Sequence, residues 1–297
     1  MATAVSDADP DAPAQRESVA ARILRIVAKA PVNILLIIVA ALWLVPTIGL
    51  ALTSLMSAND FASEGWWKVI SHPHIATWDN YSTLINDTSI PSSLWVTMQI
   101  AIGGTILPIM IAALAGYAFA WLDFPGRDWL FIIVIAMLVV PIQMALIPIF
   151  SLYNHLHLFD TVIGLVLFHT AFGLPFAIFL LRNFFLGIPK DILESARIDG
   201  ASEFRIFFRL ILPLGLPAIA SLAIFQFLWT WNDLLVALTM ARNTQPLTVA
   251  IFSNLRQFGS NIELIAPAAF FSLAIPLAVF LAFQRYFVQG LLAGSVK

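Results

Sequence analysis

The 297-residue sequence contains no cysteine and little charge, with 15 basic and 17 acidic side chains that make up 11% of the chain. The absence of cysteine excludes disulfides, thiolate nucleophiles and cysteine metal sites. The scarcity of charge excludes a water-soluble domain of this size, which needs a charged shell. The net charge of -2 argues against a nucleic-acid partner, which requires a clustered basic surface. The sequence also lacks a G-x-x-x-x-G-K-[ST] loop, so it cannot bind ATP in the manner of that motif.

Apolar residues make up 60% of the chain and are concentrated in six long segments. A bilayer-crossing helix needs about 20 mostly apolar residues, and the backbone in hydrocarbon must satisfy its own hydrogen bonds. The sequence therefore predicts an all-α membrane protein with six transmembrane helices. The predicted spans are 32–54, 94–121, 129–152, 162–182, 214–236 and 267–288. The prolines predicted to kink them are Pro46, Pro108, Pro141, Pro148, Pro175, Pro217 and Pro276.

Basic residues indicate how the spans are oriented, because cytoplasmic loops carry an excess of Lys and Arg. With the N-terminus in the cytoplasm, twelve basic residues fall inside and three outside, which predicts that both termini are cytoplasmic. The inside residues are Arg16, Arg22, Arg25, Lys29, Arg127, Arg182, Lys190, Arg197, Arg205, Arg209, Arg285 and Lys297. The outside residues are Lys68, Arg242 and Arg256.

The segments around the first span favour a simple domain organisation. Residues 1–22 are rich in Ala, Asp and Pro and contain no sustained apolar run. Residues 1–30 are therefore predicted to form a disordered cytoplasmic tail, followed by a membrane domain over 31–297. The first span is predicted to be retained, because it is longer than a signal-peptide core and lacks a clear cleavage site. The outside loop 55–93 is rich in aromatic residues, which suit either a belt at the lipid headgroups or a docking surface for an extracytoplasmic partner.

The segment 188–213 is unusually charged for this chain and lies on the predicted cytoplasmic side. Asp191 followed by Glu194 resembles a capping box at the start of a helix. Gly200 predicts a left-handed stop, and Ser202 can cap a second helix that leads into the fifth span. The pattern predicts two short helices around a tight turn, with an apolar face offered to a soluble partner.

A polar and aromatic stripe in the fifth span is a candidate path for a polar solute. Its residues are spaced as on one side of a helix, and amides, carboxylates and indoles suit sugars. The alternative is that they serve packing between helices or lie at the interface. The stripe consists of Gln226, Trp229, Thr230 and Asp233, and Gln143 and His169 are further candidates in other spans.

The charged segment resembles the EAA loop of ABC importer permeases. The resemblance rests on Glu194-Ser195-Ala196, then Gly200 after three intervening residues, then Leu210-x-Leu212-Pro213 after nine more. Ser195 stands where that family usually has Ala, and Leu210 where it usually has Ile.

Further motifs resemble the carbohydrate-uptake branch of these permeases, and most closely the second permease of maltose-type importers. They cover roughly residues 90–297 and leave out the tail. They are Ser93-Leu-Trp-Val-Thr97, Ala115-Gly-Tyr-Ala-Phe-Ala120, Phe124-Pro-Gly-Arg127, Pro141-x-Gln143, Ile147-Pro148, Asp160-Thr161, Leu174-Pro175-Phe176, Phe179-Leu-Leu-Arg182, Trp231-Asn-Asp233 and Gln289-Gly-Leu-Leu-Ala-Gly294.

The resemblance implies the type I ABC importer permease fold, with a core over 90–290 and a coupling loop over 188–213. It implies a multi-pass protein of a bacterial or archaeal cytoplasmic membrane that moves a sugar, or another polar solute such as a polyol or glycerol phosphodiester. The implied partners are a second permease, two ATPase subunits that bind ATP and Mg, and an extracytoplasmic solute-binding protein. The implied coupling residues are Glu194, Ser195, Ala196, Asp199, Gly200, Ala201, Leu212 and Pro213.

Two other classes of protein fit the sequence less well. An intramembrane enzyme would need paired ionisable residues within its spans, where His169 is the one clear titratable group. A stand-alone channel or secondary transporter would be expected to have intramembrane charges or internal repeats, and neither is evident. The histidine pairs at 72/74 and 155/157 have no third ligand at suitable spacing, so no metal site is predicted.

Overall fold

The computed structural model describes residues 19–86, 89–258 and 262–293, and no β-strand occurs in these ranges. The chain divides into two compact units, residues 1–49 and 50–297. The helices in chain order are α1 Val19–Thr53, α2 Ala58–Ser63, α3 Lys68–Ser71, α4 Asp79–Asn86, α5 Ser89–Trp121, α6 Arg127–Met137, α7 Ile142–His155, α8 Val162–Leu186, α9 Lys190–Ile198, α10 Glu203–Ile206, α11 Leu212–Leu214, α12 Leu216–Trp231, α13 Leu235–Met240, α14 Leu247–Phe258 and α15 Ile262–Ala293. A 3₁₀ turn, Pro73–Ile75, precedes α4, and a π-helical turn, Phe207–Ile211, joins α10 to α11.

The first unit contains most of α1. The helix already begins at Val19, inside the segment predicted as a disordered tail, and residues 1–18 lie outside the described residues. The apolar part of α1, Ala30–Thr53, corresponds to the first predicted span. Its side chains between residues 31 and 46 are exposed, as expected of a helix whose solvent is lipid.

Three further helices are continuous and long enough to cross a membrane: Ile90–Trp121, Val162–Leu186 and Ile265–Arg285. The span predicted over 129–152 is not a single helix, because α6 and α7 meet at an angle of 100°. The break lies at Pro141, which cannot donate a backbone hydrogen bond and disfavours helical geometry in the residue before it.

The span predicted over 214–236 also departs from one helix. It consists of α12, which meets the preceding segment Glu203–Leu214 at 71°, and it ends at Trp231 before the separate short helix α13. The described part of the chain therefore has four continuous candidate spans, or up to six if each bent pair is one span.

The second unit is built around α5 and α8, which pack against each other along most of their length. Close approach depends on glycines of α5. A Cβ on Gly104 would lie 3.2 Å from the Cβ of His169, and one on Gly116 would lie 3.0 Å from the backbone N of Arg182. Small residues at helix contacts are the usual means by which membrane helices gain van der Waals contact. These glycines therefore fix the spacing of the two central helices.

The remaining helices of this unit surround the central pair. α12 packs against α5, α8 and α15, and the indole of the buried Trp231 donates to the carbonyl of Ser272 at 3.0 Å. α4 packs against α15, and the buried Asn80 amide donates to the carbonyls of Ser54 at 3.0 Å and Met56 at 2.7 Å. Asn80 thereby satisfies carbonyls left free where a helix ends.

Candidate functional site: the 188–213 loop and a buried polar cluster

The 188–213 loop folds as two short helices around a left-handed turn, as predicted. α9 ends at Ile198, and Gly200 has φ +76°. The predicted capping box is wrong: Asp191 lies inside α9, and Glu194 instead pairs with Lys190 at 2.7 Å. Ser202 occupies the N-cap position of α10, but its side chain makes no capping hydrogen bond.

One face of the loop is buried against the ends of α5 and α8. Leu193 of α9 and Ile206, Phe207 and Ile211 after the turn lie in a core cluster that also contains Phe185. Leu193, Ile206 and Ile211 are fully buried. The regularly spaced apolar residues of the loop thus pack against the protein's own core, and they are not available to a partner.

A hydrogen-bonded clasp joins the two helices of the loop to α5. The Arg197 Nε donates to Glu203 Oε1 at 2.9 Å, and the buried Tyr117 hydroxyl of α5 donates to Glu203 Oε2. Arg197 Nη2 also donates to the carbonyl of Trp121 at 3.3 Å. The indole of Trp121 in turn donates to the carbonyl of Phe185 on α8 at 3.1 Å. The clasp therefore connects the loop to both central helices.

The opposite face of α9 is exposed. Glu194, Ser195 and Asp199 are exposed and Ala196 is half-buried. The hydrogen bond from Lys190 holds the pKa of the Glu194 carboxyl below its ordinary value. Ile198 is 86% exposed, a large apolar side chain at the tip of the loop. This exposed face is the part of the loop that is available to another protein.

The other predicted coupling residues have structural positions. Ala201 donates its backbone N–H to the carbonyl of Ala196 at 3.0 Å, which closes the turn at Gly200. Leu212 is half-buried, and Pro213 is exposed in α11.

The buried polar cluster lies where α5, α8 and α12 meet. The Gln226 amide donates to the carbonyl of Gly104 at 3.0 Å and more weakly to that of His169 at 3.4 Å. A Cβ on Gly173 would lie 2.6 Å from the same amide. Gln226 is buried and is held by the backbones of two other helices, so it is a packing residue in this conformation.

His169 and Asp233 are two further members of this cluster. His169 is 1% exposed, and its Nε2 lies 3.6 Å from Asp233 Oδ2. The ring of Trp229 stands edge-to-face on the His169 ring, with 5.1 Å between centroids. Within the described residues, His169 Nδ1 and Thr230 Oγ1 are buried without a hydrogen-bond partner. Both belong to residues that line a cavity of about 10 Å³, close to the volume that one water molecule requires.

Asp233 also organises the chain after α12. Its carboxylate accepts from the backbone N–H groups of Val236 at 3.2 Å and Ala237 at 3.0 Å, as a helix cap does. Thr248 donates its hydroxyl to the Asp233 carbonyl at 2.6 Å. Asp233 therefore ties the polar cluster to α13 and α14.

Asp160, in the turn between α7 and α8, holds the loop after α13. It adopts φ +58°, and its carboxylate accepts from the backbone N–H groups of Arg242, Asn243 and Thr244 at 2.8 Å each. Burial alone would raise the pKa of the Asp160 carboxyl, but the hydrogen bonds from Thr244, Asn243 and Arg242 outweigh it, and the pKa is lowered. The Asp160 carboxylate thus links the turn between α7 and α8 to the loop after α13.

The structure brings some predicted solute residues together and separates others. Thr230 and Asp233 line the cavity with His169, and Trp229 covers His169 from the side. Gln143 is exposed on α7 and does not line this cavity. Among the described residues, no group of three or more His, Cys, Asp or Glu side chains is placed to bind a metal ion.

Four residues with structural roles at these sites were not predicted from the sequence: Tyr117, Arg197, Glu203 and Asp160. Tyr117 and Glu203 are 86 residues apart, and Asp160 and Arg242 are 82 apart. Tyr117 and Asp160 lie within motifs that carry the family resemblance, but a motif gives no contact partner for either residue.

Comparison with known proteins identifies the family. The model of the binding-protein-dependent transport system inner membrane component family matches residues 108–293. The osmoprotective compounds uptake permease protein GgtD of Synechocystis sp. is 46% identical over 275 residues, which cover 91% of this chain and 92% of that protein. The alpha-glucoside transport system permease protein AglG of Rhizobium meliloti is 50% identical over 229 residues, 74% of this chain and 60% of that protein.

A solved structure has the same fold. It is the crystal structure of a bacterial ABC transporter involved in the import of the acidic polysaccharide alginate, with a TM-score of 0.72 at 21% identity, covering 92% of this chain and 100% of that one. The relatives are transport permeases, so the intramembrane-enzyme alternative is wrong. The chain has the type I ABC importer permease fold and belongs to the family of binding-protein-dependent transport system inner membrane components, as the EAA-type motif indicated.

Proposed function

We propose that the chain is the permease subunit of an ATP-driven importer that moves a sugar into the cytoplasm. The observation that carries the proposal is the 188–213 loop: an exposed short helix whose buried face and clasp fasten it to the two central helices. Such a loop can pass a force from a soluble partner to the membrane domain, because it is exposed on one side and tightly attached on the other. The names of the relatives support sugars as the solute class, since the AglG protein is described as an alpha-glucoside permease.

The orientation follows from the charges. Both termini and the 188–213 loop lie in the cytoplasm, because that arrangement places twelve of the fifteen basic residues inside. The tail before the first span and the six-span domain after it then form one multi-pass protein of the cytoplasmic membrane.

The partners follow from what this chain lacks and offers. It has no phosphate-binding loop, so ATP and Mg bind to two separate ATPase subunits. One of them contacts the exposed face of α9 through Glu194, Ser195 and Asp199. A second permease completes the transmembrane path, and an extracytoplasmic binding protein delivers the solute. A related fold has been crystallised as an alginate transporter in complex with a periplasmic protein, which supports this arrangement.

Solute contacts in this subunit centre on the fifth span. Trp229 is 37% exposed and is the accessible aromatic side chain of the stripe. We therefore propose that its ring packs against the apolar face of a sugar ring. Thr230 and Asp233 offer a hydroxyl and a carboxylate for hydroxyl groups, with His169 behind them. Gln226 contributes by holding α12 to α5, and Gln143 contacts solute only if the path extends to α7.

A second candidate solute is a small polyol or glycerol derivative. The observation in its favour is the relative named as a permease for osmoprotective compounds, which matches nearly the whole chain. The same hydroxyl-binding groups serve both solute classes. Uptake measured with labelled sugars and labelled polyols distinguishes them.

The decisive experiment separates ATP hydrolysis from transport. The chain is purified with its partner subunits, reconstituted into vesicles and tested as Gly200→Pro and as Asp199→Arg. Proline fixes φ near -65°, which is incompatible with the φ of +76° at Gly200. No atom lies within 4 Å of a Cβ at this position, so the effect comes from the backbone. We expect both variants to insert normally and to lose uptake while the complex still hydrolyses ATP.

The matched control reverses a charge at the other end of the molecule. Asp79→Arg alters an exposed aspartate in α4, away from the loop, and should leave the number of solute molecules moved per ATP hydrolysed unchanged. Normal uptake by Gly200→Pro and Asp199→Arg would refute the assignment of the loop to coupling.

A further inference from the structure

The segment Glu203–Leu214 lies at 71° to α12 and behaves as a separate element. Three features cause the bend: the π-helical turn at Phe207–Ile211, Pro213 before the bend, and Gly215 at it. A Cβ on Gly215 would lie 2.6 Å from the Phe185 ring, so glycine allows the bend to press against α8. If α12 crosses the membrane, this segment runs closer to the membrane plane than to its normal.

The segment has one buried and one exposed face. Ile206, Phe207 and Ile211 are buried against the central helices. On the other face, Phe204 is 75% exposed and Phe208 is 55% exposed, one helical turn apart. The exposed face is therefore as aromatic as the buried one, which is unusual for a surface in contact with water.

Two arginines lie beside the exposed phenylalanines. Arg205 and Arg209 are exposed and are also one turn apart. Within the described residues neither forms an ion pair, whereas on the same loop Lys190 pairs with Glu194 and Arg197 pairs with Glu203. The unneutralised positive charge of the loop thus lies on the face that carries the phenylalanines.

The exposed face continues into the membrane-spanning part. Leu214 is 45% exposed, Leu216 is 54% exposed and Phe225 on α12 is 44% exposed. A bent, basic segment with exposed aromatic side chains, next to a candidate span that also exposes apolar side chains, has the composition of an interfacial helix. Aromatic rings occupy the boundary between headgroups and acyl chains, and arginine side chains extend from there to phosphate groups.

We propose that the surface formed by Phe204, Arg205, Phe208 and Arg209 rests on the cytoplasmic leaflet and binds the phosphate groups of acidic phospholipids. The proposal rests on the orientation proposed above. It divides the 188–213 loop between two partners: α9 and its tip contact the ATPase, and the segment after Gly200 contacts lipid.

The absence of cysteine makes a direct test possible, because any introduced cysteine is the only labelling site. A nitroxide is attached to Phe208→Cys in the full chain, in vesicles of phosphatidylcholine with phosphatidylglycerol. Collision rates are measured with oxygen, which concentrates in lipid, and with a water-soluble nickel chelate. We expect the label at residue 208 to be accessible to oxygen and shielded from nickel.

The control label is attached to Ile198→Cys at the loop tip. Ile198 is apolar like Phe208, but the proposal assigns it to the ATPase contact and not to lipid. We expect it to be accessible to nickel in the chain alone and shielded from both reagents in the assembled complex. A label at residue 208 that matches residue 198 in both preparations would overturn the proposal and assign this face to the ATPase.

The arginines are tested by lipid retention. The full chain is purified in mild detergent with added phosphatidylglycerol, and bound lipid is counted by intact mass. Removing both charges in Arg205→Gln/Arg209→Gln should weaken phosphatidylglycerol binding on the order of thirtyfold, since each arginine at the membrane surface contributes roughly fivefold. Arg242→Gln, an exposed arginine at the opposite end, should retain wild-type binding.

Equal retention by the double variant and wild type would refute lipid binding by this pair. Failure here is distinguishable from failure of the proposed function. If uptake still depends on Gly200 while the double variant retains lipid, the coupling assignment stands and the lipid assignment falls.

Discussion

The clasp between the loop and α5 predicts a measurable energetic coupling between Tyr117 and Glu203. The Tyr117 hydroxyl is buried and donates to a carboxylate, and a hydrogen bond to a charged group contributes about 1.5–3 kcal/mol. Tyr117→Phe should therefore destabilise the chain by about 2 kcal/mol. Glu203→Gln keeps an acceptor but removes the charge. It should weaken that bond to roughly 1 kcal/mol and remove a half-exposed ion pair with Arg197 that contributes less than about 1 kcal/mol.

The double variant should cost less than the sum of the single variants, with a coupling energy of about 1 kcal/mol. The assay is unfolding of the purified full chain by sodium dodecyl sulfate, followed by the circular dichroism of the helices. Tyr153→Phe removes the hydroxyl of another buried tyrosine that does not contact Glu203, and it should show no coupling. Costs for Tyr117→Phe and Glu203→Gln that add within about 0.5 kcal/mol would refute the clasp as a connected unit.

Three further predictions concern packing and charge. Leu193→Ala should destabilise the chain by about 2–4 kcal/mol, because Leu193 is fully buried. Ile192 is 37% exposed, so Ile192→Ala should destabilise it by less than about 1 kcal/mol. Unfolding of the two purified variants compares these costs. Gly116→Leu should separate α5 from α8 and lower the unfolding temperature sharply, since even a Cβ there lies 3.0 Å from the backbone N of Arg182. The lowered pKa of Asp160 means that its stabilising contribution is complete above the unfolded pKa of about 3.9 and is lost as the pH falls through the folded value. Asp160→Asn should therefore be less stable than wild type at pH 7, and the difference should shrink below about pH 4; a constant difference would contradict this origin.

The sequence predicted the membrane-spanning segments well because length and apolar composition are local properties. It could not predict which of them are broken. Pro108 and Pro148 lie inside continuous helices, whereas Pro141 lies at a bend of 100°. The same residue type is accommodated in one place and ends a helix in another, because neighbouring helices decide whether the freed carbonyls are satisfied.

The loop shows the same division between local and distant causes. The turn at Gly200 was predictable, since a positive φ in this position requires glycine or a close substitute. The capping box was wrong because α9 begins at Lys190 with Pro189 at the N-cap position, which places Asp191 inside the helix. The clasp could not be predicted from the sequence, because Tyr117 and Glu203 come into contact only when α5 and the loop pack together.

The central helices connect the two candidate sites physically. On α5, Tyr117 contacts the loop and Gly104 contacts the polar cluster, about 20 Å apart at 1.5 Å per residue. On α8, Phe185 accepts from Trp121 near the loop, while His169 lies in the cluster. Glycines bring these two helices into close approach near both sites.

The other side of the cluster is attached differently. Trp229 and Asp233 are carried by α12 and the chain after it, and α12 is joined to the loop through the bend at Gly215. If an ATPase subunit moves α9 as proposed above, the displacement reaches His169 along α8 and reaches Asp233 through the bend at Gly215. A change in the distance between His169 Nε2 and Asp233 Oδ2, 3.6 Å in this conformation, would show that the two routes move these side chains differently.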